Sequence, residues 1–272
     1  MSDILDVSSD WLTLRETEDA RARSRDLALA AAAMLGTRPI VVHDLGSGTG
    51  SMMRWLAPFL PGPQEWVLHD WNASLTEHAV VGPPTLDRDG IPVSVTSRVG
   101  ELADLQPTDL SAASLVTASA LLDVLTAPEL HAIVDACVRV GVPTLLALSV
   151  TGEVHLDPGD ARDGVVGRAF NSHQRREAGG RRLLGRYGAP IARGLFERAG
   201  WRVRTAATTW RLDDHDPRLL GEWFDGWVDA AVEQRPELRA LVADYRRQRS
   251  SQLNSGTLSA VIHHRDLLAW PR

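Results

Sequence analysis

The sequence predicts an α/β fold, a mostly parallel sheet with helices on both faces, and three observations predict it. Short apolar, β-branched runs alternate with helical stretches up to about residue 150, the rhythm of parallel βαβ units. The first of these runs, Ile40-Val41-Val42-His43-Asp44-Leu45, leads directly into Gly46-Ser47-Gly48-Thr49-Gly50. In such sheets ligands bind outside the carboxyl ends of the strands. At 272 residues, with 44% hydrophobic and 24% charged side chains, the chain can also bury one sizeable core.

The elements follow in order. A helix is expected over Ser9–Leu35, capped by Ser9 or Asp10, rich in alanine over its second half and ended by Gly36 with Pro39 close behind. Ile40–Leu45 is a buried-type strand, and a helix over Ser51–Phe59 stops at Pro61-Gly62-Pro63. Glu65–Asp70 reads as a strand, Ala73–Val80 as a helix, Val93–Val99 as a strand and Ser114–Ser119 as the next. Thr126-Ala127-Pro128-Glu129 is a capping box with proline in the first turn. Its helix runs to Val140, ends at Gly141, and hands on to a strand over Thr144–Val150. From 153 to 186 the chain is polar and arginine-rich with no clean strand. A helix over Ala189–Ala199, a strand over Trp201–Trp210, helix over Leu219–Gln248 broken near Pro236, and a last strand over Leu258–His264 complete the reading.

Composition removes several chemistries. The chain contains no lysine, which excludes a lysine Schiff base and the P-loop lysine. Cys137 is the single cysteine, so neither an intrachain disulfide nor a thiolate-rich metal site is available. No basic segment followed by an apolar run opens the sequence, and no apolar run approaches the roughly 18 residues of a membrane span. These features predict a cytoplasmic protein without membrane contact. The net charge of −6 speaks against a protein that coats nucleic acid. Eleven arginines against two acids between Arg168 and Arg211 form a local exception, suited to an anionic substrate if they face the site.

The glycine cluster decides the ligand. A dinucleotide fingerprint wants glycine or alanine where Ser51 stands, and without lysine there is no P-loop. What the segment shows is acid-x-Gly-x-Gly-x-Gly with Asp44 ending the strand. This resembles motif I of the class I S-adenosylmethionine-dependent methyltransferases. The resemblance implies that Asp44, Gly46, Ser47, Gly48 and Gly50 hold the amino-acid end of the cofactor. Glycines let the backbone approach closely, and a carboxylate suits a ligand carrying a sulfonium and an ammonium. It implies further that Asp70 accepts hydrogen bonds from both ribose hydroxyls and that Trp71 packs on the adenine. Gly100, Glu101 and Leu102, within Val99–Leu105, match the family's adenine segment, with Asp104 a substitute for Glu101. Ser119 falls beside the cofactor, and Asp123, in the loop after it, is expected to touch substrate or act in catalysis.

The resemblance covers Pro39 to Val150 and implies a Rossmann-like seven-stranded sheet whose last strand is antiparallel. The chain then divides into a helical cap (1–38), a cofactor-binding half (39–150), an acceptor-side insertion (151–186) and the remaining half of the sheet with added helices (187–272), all one methyltransferase domain. Within the insertion, the stretch Phe170 to Arg176 with Leu183-Leu184-Gly185 also resembles a group of bacterial methyltransferase-like proteins. His155 and His173 are candidate general bases, and Asn171, Gln174 and Arg175 candidate groups that orient substrate. His263 and His264 point to opposite faces of a strand and make a poor metal pair, so no metal is expected.

The expected activity is therefore methyl transfer from S-adenosylmethionine, with S-adenosylhomocysteine as product, to O, N or C of a small metabolite, an anionic one if the arginine-rich segment faces it, by a monomer or homodimer. One alternative is methylation of RNA through the 168–211 segment, which the overall negative charge opposes. The other is a non-catalytic binding or regulatory protein, which the intact Asp44–Gly50 motif opposes.

Overall fold

The computed structural model describes residues 7–36 and 39–272; the opening residues read for a leader, and Thr37 and Arg38 at the end of the expected cap, lie outside them. Nine strands and nine α-helices are found among the described residues. The first half contains α1 (Ser9–Ala22), α2 (Arg25–Ala32), β1 (Ile40–Leu45), α3 (Ser51–Leu56), β2 (Gln64–Asp70), α4 (Ala73–Val81), β3 (Ser94–Val99), β4 (Leu115–Ser119) and α5 (Ala127–Val140). It continues with β5 (Thr144–Asp157), α6 (Asp163–His173), a small hairpin of β6 (Glu177–Ala178) and β7 (Arg181–Arg182), and α7 (Gly188–Arg198). Then come β8 (Arg202–Leu212), α8 (Pro217–Gln234), α9 (Arg239–Asn254) and β9 (Ser259–Trp270).

Seven strands form one sheet in the order β3-β2-β1-β4-β5-β9-β8. β1 pairs in parallel with both β2 and β4, so the order reverses at β1 and opens a crevice at the carboxyl ends of β1 and β4. β9 runs antiparallel to both neighbours, β5 and β8. The seven-stranded sheet with an antiparallel last strand is thus as expected. Its faces are covered separately: α5 and α7 bury Leu130, Ile133, Leu195 and Phe196 on one, and α2 and α3 bury Leu27, Ala31, Met52 and Leu56 on the other. α6, α8 and α9 pack Val166, Phe224, Trp227 and Tyr245 against the far ends of β5, β8 and β9.

Three differences from the sequence reading bear on the site. The long first helix is two. Ser8 caps α1 by accepting from Trp11 N, and Ser24 caps α2 by accepting from Leu27 N. At the break the Ser24 N–H is held by Asp266 Oδ2 at 2.8 Å, so tertiary structure overrides the alanine-rich helix propensity. β5 runs seven residues past its expected end because Gly152 (φ 77) does not stop it. Register shifts against β9 flank residues 147–148 and 151–153, as β-bulges do. Residues 153–186, read as irregular, hold the end of β5, α6 and the hairpin. The capping box is present as read: Thr126 N donates to Glu129 Oε2 at 2.8 Å, and Glu129 N to Thr126 Oγ1 at 3.4 Å.

Candidate active site

The turn after β1 is built from positive φ angles: 62° at Gly46, 52° at Gly48 and 83° at Gly50, the last at the start of α3. This is a region that β-carbons disfavour. A Cβ on Gly46 would also come within 2.7 Å of Leu121, so the turn and the loop after β4 approach closely only because glycine is there. Ser47 N donates to His69 O at 3.0 Å and Gly48 N to Asp70 Oδ2 at 2.8 Å. Asp70 Oδ1 accepts from Asn72 N at 2.9 Å, and Gly100 N donates to Asp70 O at 3.0 Å. Asp70 therefore ties the β1 turn to the ends of β2 and β3.

Asp44 lies fully buried at the end of β1. Thr117 Oγ1 on β4 donates to its Oδ1 at 2.7 Å, while Oδ2 has no partner among the described residues. Burial pushes its pKa up to about 7, against the pull of Thr117 and Arg23. Arg23, only 4% exposed, enters from the break between α1 and α2. It donates to Ser119 Oγ (Nη2 at 3.0 Å) and to Ser51 Oγ (2.9 Å) and O (3.3 Å). Burial lowers its pKa, with Asp19 opposing. Just beyond Ser119, Ala120 takes φ 52°, a strained conformation for a residue with a β-carbon, costing on the order of 1–3 kcal/mol.

These groups face one cavity of about 390 Å³. Its inner half is walled by Asp44, Gly46, Ser47, Gly48, Asp70, Trp71, Gly100, Glu101, Leu102 and Ser119. Trp71 is 40% exposed at its edge. The outer half is walled by Trp11, Leu12 and Arg15 of α1, by Asp123, Val124 and Leu125, and by Glu129, Gln174 and Arg181. Arg15 is bidentate on Asp19 (3.0 and 3.1 Å), and Arg181 contacts both oxygens of Glu129 (2.8 and 2.7 Å). Asp123 Oδ1 is buried without a partner, and burial pushes the carboxyl up to about 6.

No protein-family model matches the chain, and no curated protein matches its sequence. In structure it is similar to the YcgJ protein of Bacillus subtilis, with 13% identity, a TM-score of 0.50, and 90% of this chain and 97% of that one covered. Weaker likenesses include a cyclopropane synthase of Mycobacterium tuberculosis (13% identity, 97% and 95% covered, TM-score 0.47). Another is a SAM-dependent methyltransferase of Geobacter sulfurreducens in complex with S-adenosyl-L-homocysteine (16%, 98% and 100%, 0.43). The fold is Rossmann-like, a seven-stranded, mostly parallel sheet whose last strand runs antiparallel between its neighbours.

On this scaffold, the residues named from the first glycine turn to the loop after β4 converge on the cavity, except Asp104, which does not line it, and Gly50, which stands behind it against Ala79. Of the acceptor-side residues only Asp123 and Gln174 reach it. His155 is exposed on the extended β5, 3.0 Å from Glu153 and edge-on to His263. His173 is buried at the end of α6, where Arg176 donates to its Nδ1 at 3.1 Å and Glu233 of α8 lies 3.1 Å from Nε2. Asn171 donates to Gly152 O at 2.8 Å and braces the bulge in β5. Arg175 lies over the Tyr187 ring, 4.6 Å from its centroid. None of these four lines the cavity: the β5 extension and α6 carry them to other surfaces. His264 packs against Trp210 while His263 turns toward His155, the opposed orientation expected. Of the eleven arginines between 168 and 211 only Arg181 lines the cavity, and Glu129 occupies it.

The sequence reading missed Arg23, Arg15 and Asp19, which it placed inside a continuous helix. A signal for the break existed in Ser24 followed by Asp26, a serine cap with an acid in the first turn. Thr117, read only as part of a strand, and Arg181, hidden in an arginine-rich run, had no such signal.

Proposed function

We propose that the protein transfers the methyl group of S-adenosylmethionine to O, N or C of a small metabolite. The observation that carries this is Asp44: a fully buried carboxylate with one unpartnered oxygen, in a glycine-walled crevice at the switch point of the sheet. An unpaired buried carboxylate is costly, and the ammonium of an amino-acid ligand relieves that cost. Arg23, held between Ser51 and Ser119, suits the carboxylate of the same moiety. Asp70, whose oxygens each accept a single backbone N–H, keeps lone pairs for a ribose diol. Trp71, Gly100 and Leu102 offer apolar and backbone surface to a flat base.

Bound there, S-adenosylmethionine supplies a methyl group already activated by the sulfonium charge, so in-line placement of the nucleophile accounts for much of the rate. The chain contributes that placement through the loop after β4 and through α1, which together wall the outer half of the cavity. Calorimetric titration with S-adenosylmethionine and S-adenosylhomocysteine tests the reading. Binding at micromolar concentration, weakened at least tenfold by Asp70→Ala, is expected; no binding of either ligand by the unaltered protein refutes it.

A further inference from the structure

The outer half of the cavity has one charged group left over. Arg15 is engaged by Asp19 and Arg181 by Glu129, while Arg23 lies toward the inner end, between Ser51 and Ser119. Asp123 has no ion-pair partner among the described residues; its Oδ1 is buried without a hydrogen bond, and its carboxyl is walled into the cavity beside Val124 and Leu125. Its backbone is fixed independently, since Asp123 O accepts from Gly185 N at 2.9 Å. Among the described residues Arg15 is the one cation whose charge favours the ionised Asp123 carboxyl, and leaving Oδ1 buried without a donor is unfavourable. A ligand that donates a hydrogen bond removes that penalty; a carboxylate or phosphate beside it increases it.

We propose, on the basis of the methyl-transfer reading above, that Asp123 binds the N–H or O–H of the acceptor nucleophile, so that the acceptor is a neutral or cationic amine or phenol and not an acid. In the step this implies, the acceptor first gives up one proton, and the lone pair so exposed on its nitrogen or oxygen forms the bond to the methyl carbon while the carbon–sulfur pair returns to sulfur. The proton released from the acceptor passes to the Asp123 carboxylate. Trp11, Leu12 and Leu125 give the body of the acceptor an apolar wall. The arginine-rich segment plays no part in this selection, because its one member at the cavity is neutralised by Glu129.

The test uses the full chain saturated with S-adenosylhomocysteine and two probes that share a phenol and a two-carbon arm, tyramine and 4-hydroxyphenylacetate. Calorimetry is expected to show tyramine binding at least tenfold more tightly than the acid. Asp123→Asn is expected to remove most of that preference while leaving S-adenosylhomocysteine affinity within twofold. The thermal midpoint of the variant without ligand should stay level or rise, whereas a structural role for the carboxylate would lower it. Equal or tighter binding of the acid, no binding of tyramine, or an unaltered preference in Asp123→Asn overturns the inference alone. Failure of the unaltered protein to bind S-adenosylhomocysteine overturns the methyl-transfer reading and this inference with it.

Discussion

Arg23 Nη2 lies 3.0 Å from Ser119 Oγ, joining residues 96 apart in sequence at the floor of the cavity. The break between α1 and α2 supplies the arginine, and the end of β4 supplies the serine. A guanidinium this deeply buried is costly unless its hydrogen bonds are met; Ser51 and Ser119 meet them, and Asp19 Oδ2, 3.9 Å from Nη2, is its ion-pair partner. Arg23→Ala is expected to weaken S-adenosylhomocysteine binding at least tenfold and to leave adenosine, which lacks the amino-acid carboxylate, within threefold. Parallel calorimetric titrations check this, and equal losses for both ligands would place the arginine elsewhere in the site.

Asp266 holds that break in position. Its side chain, 1% exposed on β9, accepts from Ser24 N at 2.8 Å, Leu148 N at 2.7 Å and Thr208 Oγ1 at 3.1 Å. One carboxylate thereby fastens the start of α2, the first bulge of β5, where Leu148 takes φ 53°, and the neighbouring strand β8. Asp266→Ala leaves the N–H groups of buried Leu148 and half-buried Ser24 without acceptors, at a cost of up to about 1–3 kcal/mol each. Urea unfolding is expected to show a loss on the order of 3 kcal/mol. S-adenosylhomocysteine affinity should fall as well, because Arg23 is the residue immediately before the released Ser24.

How much of this was legible in the sequence depends on where each residue's neighbours come from. The turn from Asp44 to Gly50 is local: its glycines, its acid and the strand before it are contiguous, so both its conformation and its place at the switch point follow from the pattern. The capping box of α5 is legible for the same reason. The β5 extension was not, because Gly152 punctuates a sequence in the same way whether it ends a strand or bulges it. β9 supplies the pairing that decides between the two. His155 and His173 had the right chemistry for a base, but the extension and α6 direct them to an exposed strand face and to the α6–α8 contact. Arg23 and Asp266 act through contacts spanning 96 and 242 residues, for which a single sequence carries no signal.

The raised pKa of Asp44 makes ligand binding pH-dependent, with a sign that can be worked out. Burial holds the carboxyl at about 7 in the ligand-free fold, while Thr117 and Arg23 pull it down and Asp70 pushes it up. Its folded pKa lies above the unfolded value, so this group favours the ligand-free fold at low pH, and that contribution is lost as pH rises through 7. A ligand whose ammonium pairs with the ionised form lowers the pKa again and must displace the proton below pH 7. S-adenosylhomocysteine affinity is therefore expected to be level between pH 7.5 and 8.5 and to fall about tenfold per unit below 7, the slope of a single linked proton. Titrations at pH 6, 7 and 8 check this. Asp44→Asn should bind more weakly at pH 8 and lose the slope, because no proton remains to be displaced at that position. A slope that persists in Asp44→Asn would assign the proton to another group.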